Sequence, residues 1–251
     1  LRIGAEGATL MTTSDPQPDP ETCAVRDAII ASLGDDLAAL LWHGSRARGE
    51  ANEESDHDMI VILRDGAAGA IERLAGVFES RQGWSAYVKT ERELRQYPMI
   101  GRLQFHHGIA VLHGTFTPPR VTREGLIDDL RTIASTLAHE ARYRIMHGAS
   151  RTYRGLPDEY GRVRNTRWMY YQAKAAIMAM KARALLVSGE YPLTRAALRS
   201  RTTDPVELEL IDAVDRWPER RPEFEADLLP LCRLIDAFAT GLVVWLDATH
   251  T

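Results

Sequence analysis

Apolar and polar positions change rhythm along this chain, and the change divides it in two. Over Glu21 to about Leu33, Val25, Ile29 and Ile30 recur with Ala24 and Ala28 at helical spacing, and Gly34-Asp35-Asp36 closes the helix. Short continuous apolar runs follow, as strands buried on both faces require. Ala38 to Trp42 is the first strand, and a Gly44-Ser45 turn leads into a short helix through Arg48. Asp58 to Leu63 is the second strand, and Asp65-Gly66 breaks it. Ala68 to Ser80 is a helix with Ile71, Leu74, Val77 and Phe78 on one face, Trp84 to about Thr90 is a third strand, and Leu103 to Leu112 reads as strands or a hairpin around Gly108. After Pro118-Pro119 the period becomes helical and stays so, with helices at about 123–147, 165–188, 205–216 and 222–248. Residues 1–20, with Pro16, Pro18 and Pro20, read as a disordered lead-in. The expected class is a small α/β (α+β) domain with a mixed sheet at 21–118, followed by an all-α bundle at 119–251.

Composition narrows the functional classes. The 251 residues suffice for two cores, and the net charge of −4 excludes a generally basic nucleic-acid binder. Residues 1–118 carry 11 Lys and Arg against 17 Asp and Glu; residues 119–251 carry 20 against 18. Cys23 and Cys232 lie far apart, outside zinc-ligand or disulfide-framework spacing. The first twenty residues lack the basic start and apolar core of a signal peptide, and no apolar run of transmembrane length stands out. A cytoplasmic location and no membrane partner are therefore expected.

The chemistry concentrates between the first two strands. Ser55-Asp56-His57-Asp58 opens the second strand, and residues two apart on a strand share a side, about 7 Å apart at the backbone. Two carboxylates on one face are hard oxygen ligands suited to Mg²⁺, which completes its octahedron with phosphate oxygens and water. Gly44 permits close backbone approach, and Ser45 with the following amides can cradle phosphate oxygens. Arg46 or Arg48 could help to position the phosphates, and either is equally well a helix-surface charge. His57, between the aspartates, points to the opposite face; His43 lies beside the turn; His106 and His107 fall on opposite faces of the expected strand. Met169, Ala173, Ile177 and Met180 fall at helical spacing and read as core.

Ser45 and Asp56 stand ten residues apart between two apolar strands, and this arrangement resembles the Gly-Ser-x10-Asp-x-Asp motif of the polymerase-β-like nucleotidyltransferase superfamily. In its first hundred residues and its helical second half the chain looks closest to aminoglycoside adenylyltransferases. The resemblance implies transfer of AMP from Mg-ATP to a hydroxyl of a small molecule, with an aminoglycoside-type antibiotic the leading candidate. It assigns Asp56 and Asp58 to catalysis and Mg²⁺, and Gly44, Ser45, Arg48 and Ser55 to the nucleotide. Lys181-Ala-Arg-Ala-Leu-Leu-Val-Ser-Gly189-Glu-Tyr-Pro192-Leu-Thr-Arg195 resembles a helix–turn segment whose basic residues contact the triphosphate, which adds Lys181 and Arg195.

The family carries a third carboxylate on the next strand, whereas Gly83-Trp84-Ser85-Ala86-Tyr87-Val88-Lys89 has none; Glu91 and Glu93 lie just beyond. Two alternatives therefore stay open. One is a minimal nucleotidyltransferase of toxin–antitoxin type that adenylylates a protein partner, since the helical half is HEPN-like in pattern. The other is a catalytically impaired nucleotide-binding regulatory module. A ribonuclease-type HEPN needs Arg followed closely by His, and after Arg195 the next histidine is His250, so RNA cleavage is not expected. Arg142, Arg144, Arg151, Arg154, Arg162, Arg164 and Arg167 are basic but mixed with Glu140, Asp158 and Glu159, and nucleic acid is not the favoured partner.

Overall fold

The structure is a computed structural model that describes residues 17–51, 55–148 and 158–249, with side chains from 163 onward in the last segment. The expected lead-in falls mainly outside the described residues, as do Arg151 and Arg154 and the side chain of Arg162. The chain divides into two compact units, Leu1–Thr122 and Arg123–Thr251.

In the first unit α1 (Pro20–Leu33) starts where Asp19 accepts the Thr22 amide at 2.7 Å and Pro20 presets the first turn. A 3₁₀ turn leads into β1 (Leu37–His43), the single-turn α2 (Gly44–Ala47) and β2 (His57–Leu63). Next come α3 (Ala70–Phe78), β3 (Trp84–Thr90), α4 (Glu91–Arg95), α5 (Met99–His106) and β4 (Ala110–Gly114). The four-stranded sheet has the order β3-β2-β1-β4 and is mixed: β1 runs antiparallel to β2 and to β4, and β2 runs parallel to β3.

Period-two alternation gives β1 and β2 two apolar faces. Leu40, Trp42, Met59, Val61 and Leu63 pack with Val25, Ile29 and Leu33 of α1 and Leu74 and Val77 of α3. Ala39, Leu41, Ile60 and Ile62 face Leu94 of α4 and Phe105 of α5. With helices on both faces the central strands must be apolar throughout, which is why they read as continuous runs.

The segment expected as strands from Leu103 is helical up to His106, so His106 and His107 sit at a helix end, not on opposite faces of a strand. A buried arginine holds the turn before it. Arg102 donates to the carbonyl oxygens of Tyr97 (2.6 Å), Arg95 (2.9 Å) and Arg120 (2.7 Å), groups that the end of α4 and the loops leave unpaired. Only Ala110–Gly114 pairs with the sheet there.

The second unit contains α6 (Arg123–His147), α7 (Asp158–Ser188), α8 (Arg195–Arg199), α9 (Pro205–Asp215), α10 (Trp217–Ala226) and α11 (Leu229–Thr249). A small mixed-sheet unit followed by a helical one matches the coarse class expected. The helix expected at 222–248 is two, because Asp227 leaves helical geometry and its carboxylate accepts the Leu229 amide at 3.0 Å, with Pro230 in the new first turn. α11 packs along α6, and α7 packs on α6, α9, α10 and α11. Contrary to the sequence reading, α11 has the length and apolar content of a membrane span, with a mean hydropathy of 1.6. Its Leu231, Cys232, Ile235, Phe238, Ala239, Leu242 and Leu246 are buried within the protein.

Candidate functional site

The site is built where β1 ends and β2 begins. Antiparallel register sets His43 opposite Asp58, so the turn after His43 comes directly over the Asp58 side chain. Gly44 there has φ of +84°, and a Cβ on it would lie 2.1 Å from Asp58 Oδ2 and 2.9 Å from Asp58 Cβ and Cγ. The residue must therefore be glycine twice over, for its backbone conformation and for the carboxylate filling the side-chain space. Ser45 follows as the second residue of α2.

The loop between turn and strand is tied down by Arg46, whose Nε and Nη2 donate to the Ser55 carbonyl at 3.2 and 3.0 Å. Positioning of this loop is a role for Arg46 that its sequence position did not suggest. Arg48 Nε donates to Glu50 at 2.8 Å, so Arg48 is engaged within the same loop. Asp56 is exposed one residue before β2, and Asp58 is half-buried within it.

The opposite face behaves differently. His57 is buried with its ring stacked on Trp84 at 4.2 Å between centroids, and Trp84 Nε1 donates to Glu21 at 3.0 Å. Burial, then the nearby Arg46 charge, holds the His57 pKa below its ordinary value, so it is a neutral packing ring at neutral pH. As expected, it does not face the carboxylates.

Parallel register pairs Asp58 with Ser85 of β3, and the Ser85 hydroxyl donates to Asp58 Oδ1 at 2.8 Å. The position beside Asp58 is thus a hydroxyl. Glu91 and Glu93 do not substitute for it. They follow Thr90, at the other end of β3 from Ser85, about 20 Å along a strand of this rise. Glu93 is also occupied as a capping box: its carboxylate accepts the Thr90 amide while the Thr90 hydroxyl accepts the Glu93 amide. Among the described residues no three His, Cys, Asp or Glu side chains gather into a metal cluster. The oxygen donors present, Asp56, Asp58 and the Ser85 hydroxyl, still fit one hard cation that takes most of its ligands from phosphate and water.

Lys181 and Arg195 lie in the second unit. Lys181 is buried, and its ammonium donates to the Leu193 carbonyl with the Tyr191 ring 5.9 Å away. Arg195 pairs with Asp215 of α9, which Arg199 also approaches at 3.6 Å. Both basic residues therefore fasten the Gly189–Arg195 turn to its own bundle. Sequence reasoning passed over the roles of Ser85 and Arg46. Ser85 is identifiable only from the β2–β3 register, and the contact of Arg46 with Ser55 crosses a loop with no periodic signal.

No protein-family model matches this chain, and no curated protein is similar to it.

Proposed function

We propose that the Gly44–Asp58 site binds Mg²⁺ with a nucleoside triphosphate and transfers the nucleotidyl group, AMP from ATP, to a hydroxyl of a small molecule. The observation that carries this reading is the absent Cβ of Gly44: the backbone of the turn rests on the carboxylate that would hold the metal. Asp56 and Asp58 would hold Mg²⁺, which when bound supplies charge neutralisation for the phosphate oxygens. The chain's own groups position. Gly44 and Ser45 offer backbone and hydroxyl to the phosphates, Arg46 fixes the loop that carries Asp56, and Ser85 orients the Asp58 carboxylate. In-line attack of the acceptor oxygen on the α-phosphorus forms one P–O bond and breaks the one to the leaving pyrophosphate. Positioning and electrostatics carry most of such a reaction.

One observation favours a second reading. With serine at the position paired with Asp58, the described site has no third carboxylate to take the acceptor's proton. A nucleotide-binding regulatory unit needs none. A protein hydroxyl as acceptor in place of a small molecule is a variant of the first reading that uses the same site.

Calorimetric titration of ATP with and without Mg²⁺, on the wild type and on Asp56→Ala/Asp58→Ala, tests both. Mg²⁺-dependent binding that the double substitution abolishes is expected. Absence of Mg²⁺-dependent binding in the wild type, or its survival in the double variant, refutes the site. Release of pyrophosphate on addition of hydroxyl acceptors then separates transferase from regulatory unit.

A further inference from the structure

The helical unit holds an apolar groove that its own packing leaves open. It runs between α6 and α11, encloses about 720 Å³, and is floored by small side chains, among them Ala134, Ala138 and Ala239. Beside this floor stand apolar side chains that the described residues leave largely uncovered: Met146 is 70% exposed, Val244 65% and Val243 43%. α11 has a mean hydropathy of 1.6 over its most apolar stretch, yet only 39% of that stretch is buried. It carries more apolar surface than α6 and α7 take up. A groove of small residues flanked by exposed valines is complementary to itself, since the valines of one copy have the size to enter the groove of another.

Charge chooses between the ways of placing a second copy. The groove's cationic side chains, Arg131 and Arg142, both stand on α6, and its one carboxylate, Asp247, stands on α11. Arg142 donates to Asp236 at 2.7 Å and to Thr240 at 3.3 Å, while Arg131 and Asp247 line the same groove; together these make α6 and α11 antiparallel and bring Asp247 to the height of Arg131 and Ser135. A twofold axis perpendicular to the helices would lay α6 on α6 and oppose cation to cation. A twofold axis parallel to the helices lays α6 of each copy on α11 of the other, at the same height. Arg131 then meets Asp247 of the second copy, twice by symmetry. Within its own chain Arg131 pairs with Asp128, one turn away, with both side chains at least half exposed. Such a pair holds little energy, and the guanidinium is free to re-aim.

We infer that the α6–α11 face is the interface of a symmetric homodimer, in which Val243 and Val244 of each copy enter the other's alanine-floored groove and Arg131 pairs with Asp247 across it. The inference stands apart from the nucleotide reading.

Sedimentation velocity on the full chain over a concentration series tests it. The wild type is expected to be a dimer, with dissociation in the micromolar range or tighter. Val244→Glu, at an exposed position that leaves folding intact by circular dichroism, is expected to sediment as a monomer. Arg131→Asp and Asp247→Arg are each expected to weaken dimerisation about tenfold or more, the scale of 1.4 kcal/mol. Arg131→Asp combined with Asp247→Arg restores it, a rescue that no folding defect would give. A monomeric wild type overturns the inference, as does a dimer that Val244→Glu leaves intact or a charge swap that fails to restore pairing. A monomeric wild type that co-sediments with phosphatidylglycerol vesicles overturns it in favour of a membrane surface.

Discussion

Gly44→Ala is the substitution that tests the site's construction most directly, because two separable costs converge on one missing methyl group. The first is conformational. At φ of +84° an L-residue pays about 1–2 kcal/mol that glycine does not. The second is steric. The new Cβ would sit 2.1 Å from Asp58 Oδ2 and 2.9 Å from two further carbons of Asp58, all inside contact distance. Asp58 is tied by Ser85 and by its place in β2, so relief requires a shift of strand or turn, and forced overpacking of this kind costs about 1–3 kcal/mol. The sum is about 2–5 kcal/mol.

Gly49 supplies the control. It has a φ of +69° but open space where its Cβ would go, so Gly49→Ala carries the conformational cost alone. Hydrogen exchange, read separately on β2 and on α6, localises the effect to the first unit. Gly44→Ala is expected to speed exchange of the His57–Leu63 amides by about thirtyfold to a few thousandfold, at tenfold per 1.4 kcal/mol, with α6 unchanged. It should exceed Gly49→Ala by about 1–3 kcal/mol, and Asp58→Ala in the same chain should recover part of the excess. Equal effects for the two glycine substitutions would refute the claim that the Asp58 carboxylate fills the space beside Gly44.

The first unit should also lose stability in acid. Burial, and then the neighbouring His106, holds His107 at about 4 against an ordinary 6.5, so between those values the unfolded chain takes a proton that the folded one refuses. Its contribution is present above pH 6.5 and is lost as pH falls toward 4, with His57 acting in the same direction. Allowing for partial exposure, the loss is about 1–2 kcal/mol, and urea midpoints at several pH values should show a shallower slope in His107→Gln; an unchanged slope would count against it. Lys181→Met removes the hydrogen bond to the Leu193 carbonyl, so melting of the second unit should fall by about 1–3 kcal/mol while ATP affinity holds within about twofold. A large loss of affinity with unchanged melting would instead return Lys181 to the nucleotide. Ser85→Asp is expected to lower stability without metal and to make Mg²⁺ stabilising, as three carboxylates in place of two require; a melting temperature insensitive to Mg²⁺ would argue against a cation at Asp58.

What the sequence made legible was what a local rule dictates. β1 and β2 were visible because strands covered on both faces must be apolar throughout, and α1 because Val25, Ile29 and Leu33 recur at helical spacing on its buried face; the Asp19-Pro20 start of α1 was read as lead-in. The segment from Leu103 to His106 was misread because the helix it ends is held from outside, by Arg102 reaching the carbonyls of Arg95, Tyr97 and Arg120, contacts that carry no periodic signal. Lys181 and Arg195 looked free for a ligand for the same reason: Leu193 and Asp215 come to them through the fold.

The candidate site divides along this line. Gly44, Ser45, Asp56 and Asp58 belong to one strand–turn–strand unit, so spacing alone could propose them. Ser85 enters through a parallel crossover, residues 64–83, and its bearing on Asp58 exists only once β2 and β3 are paired. That pairing makes the missing carboxylate a statement about geometry. A serine anywhere on β3 would say little, whereas a serine bonded to Asp58, with Glu93 committed to a helix cap at the strand's far end, leaves no acidic residue of β3 or α4 beside the Asp58 carboxylate. If the chain transfers a nucleotidyl group, the base must come from the acceptor, from solvent or from outside this sheet.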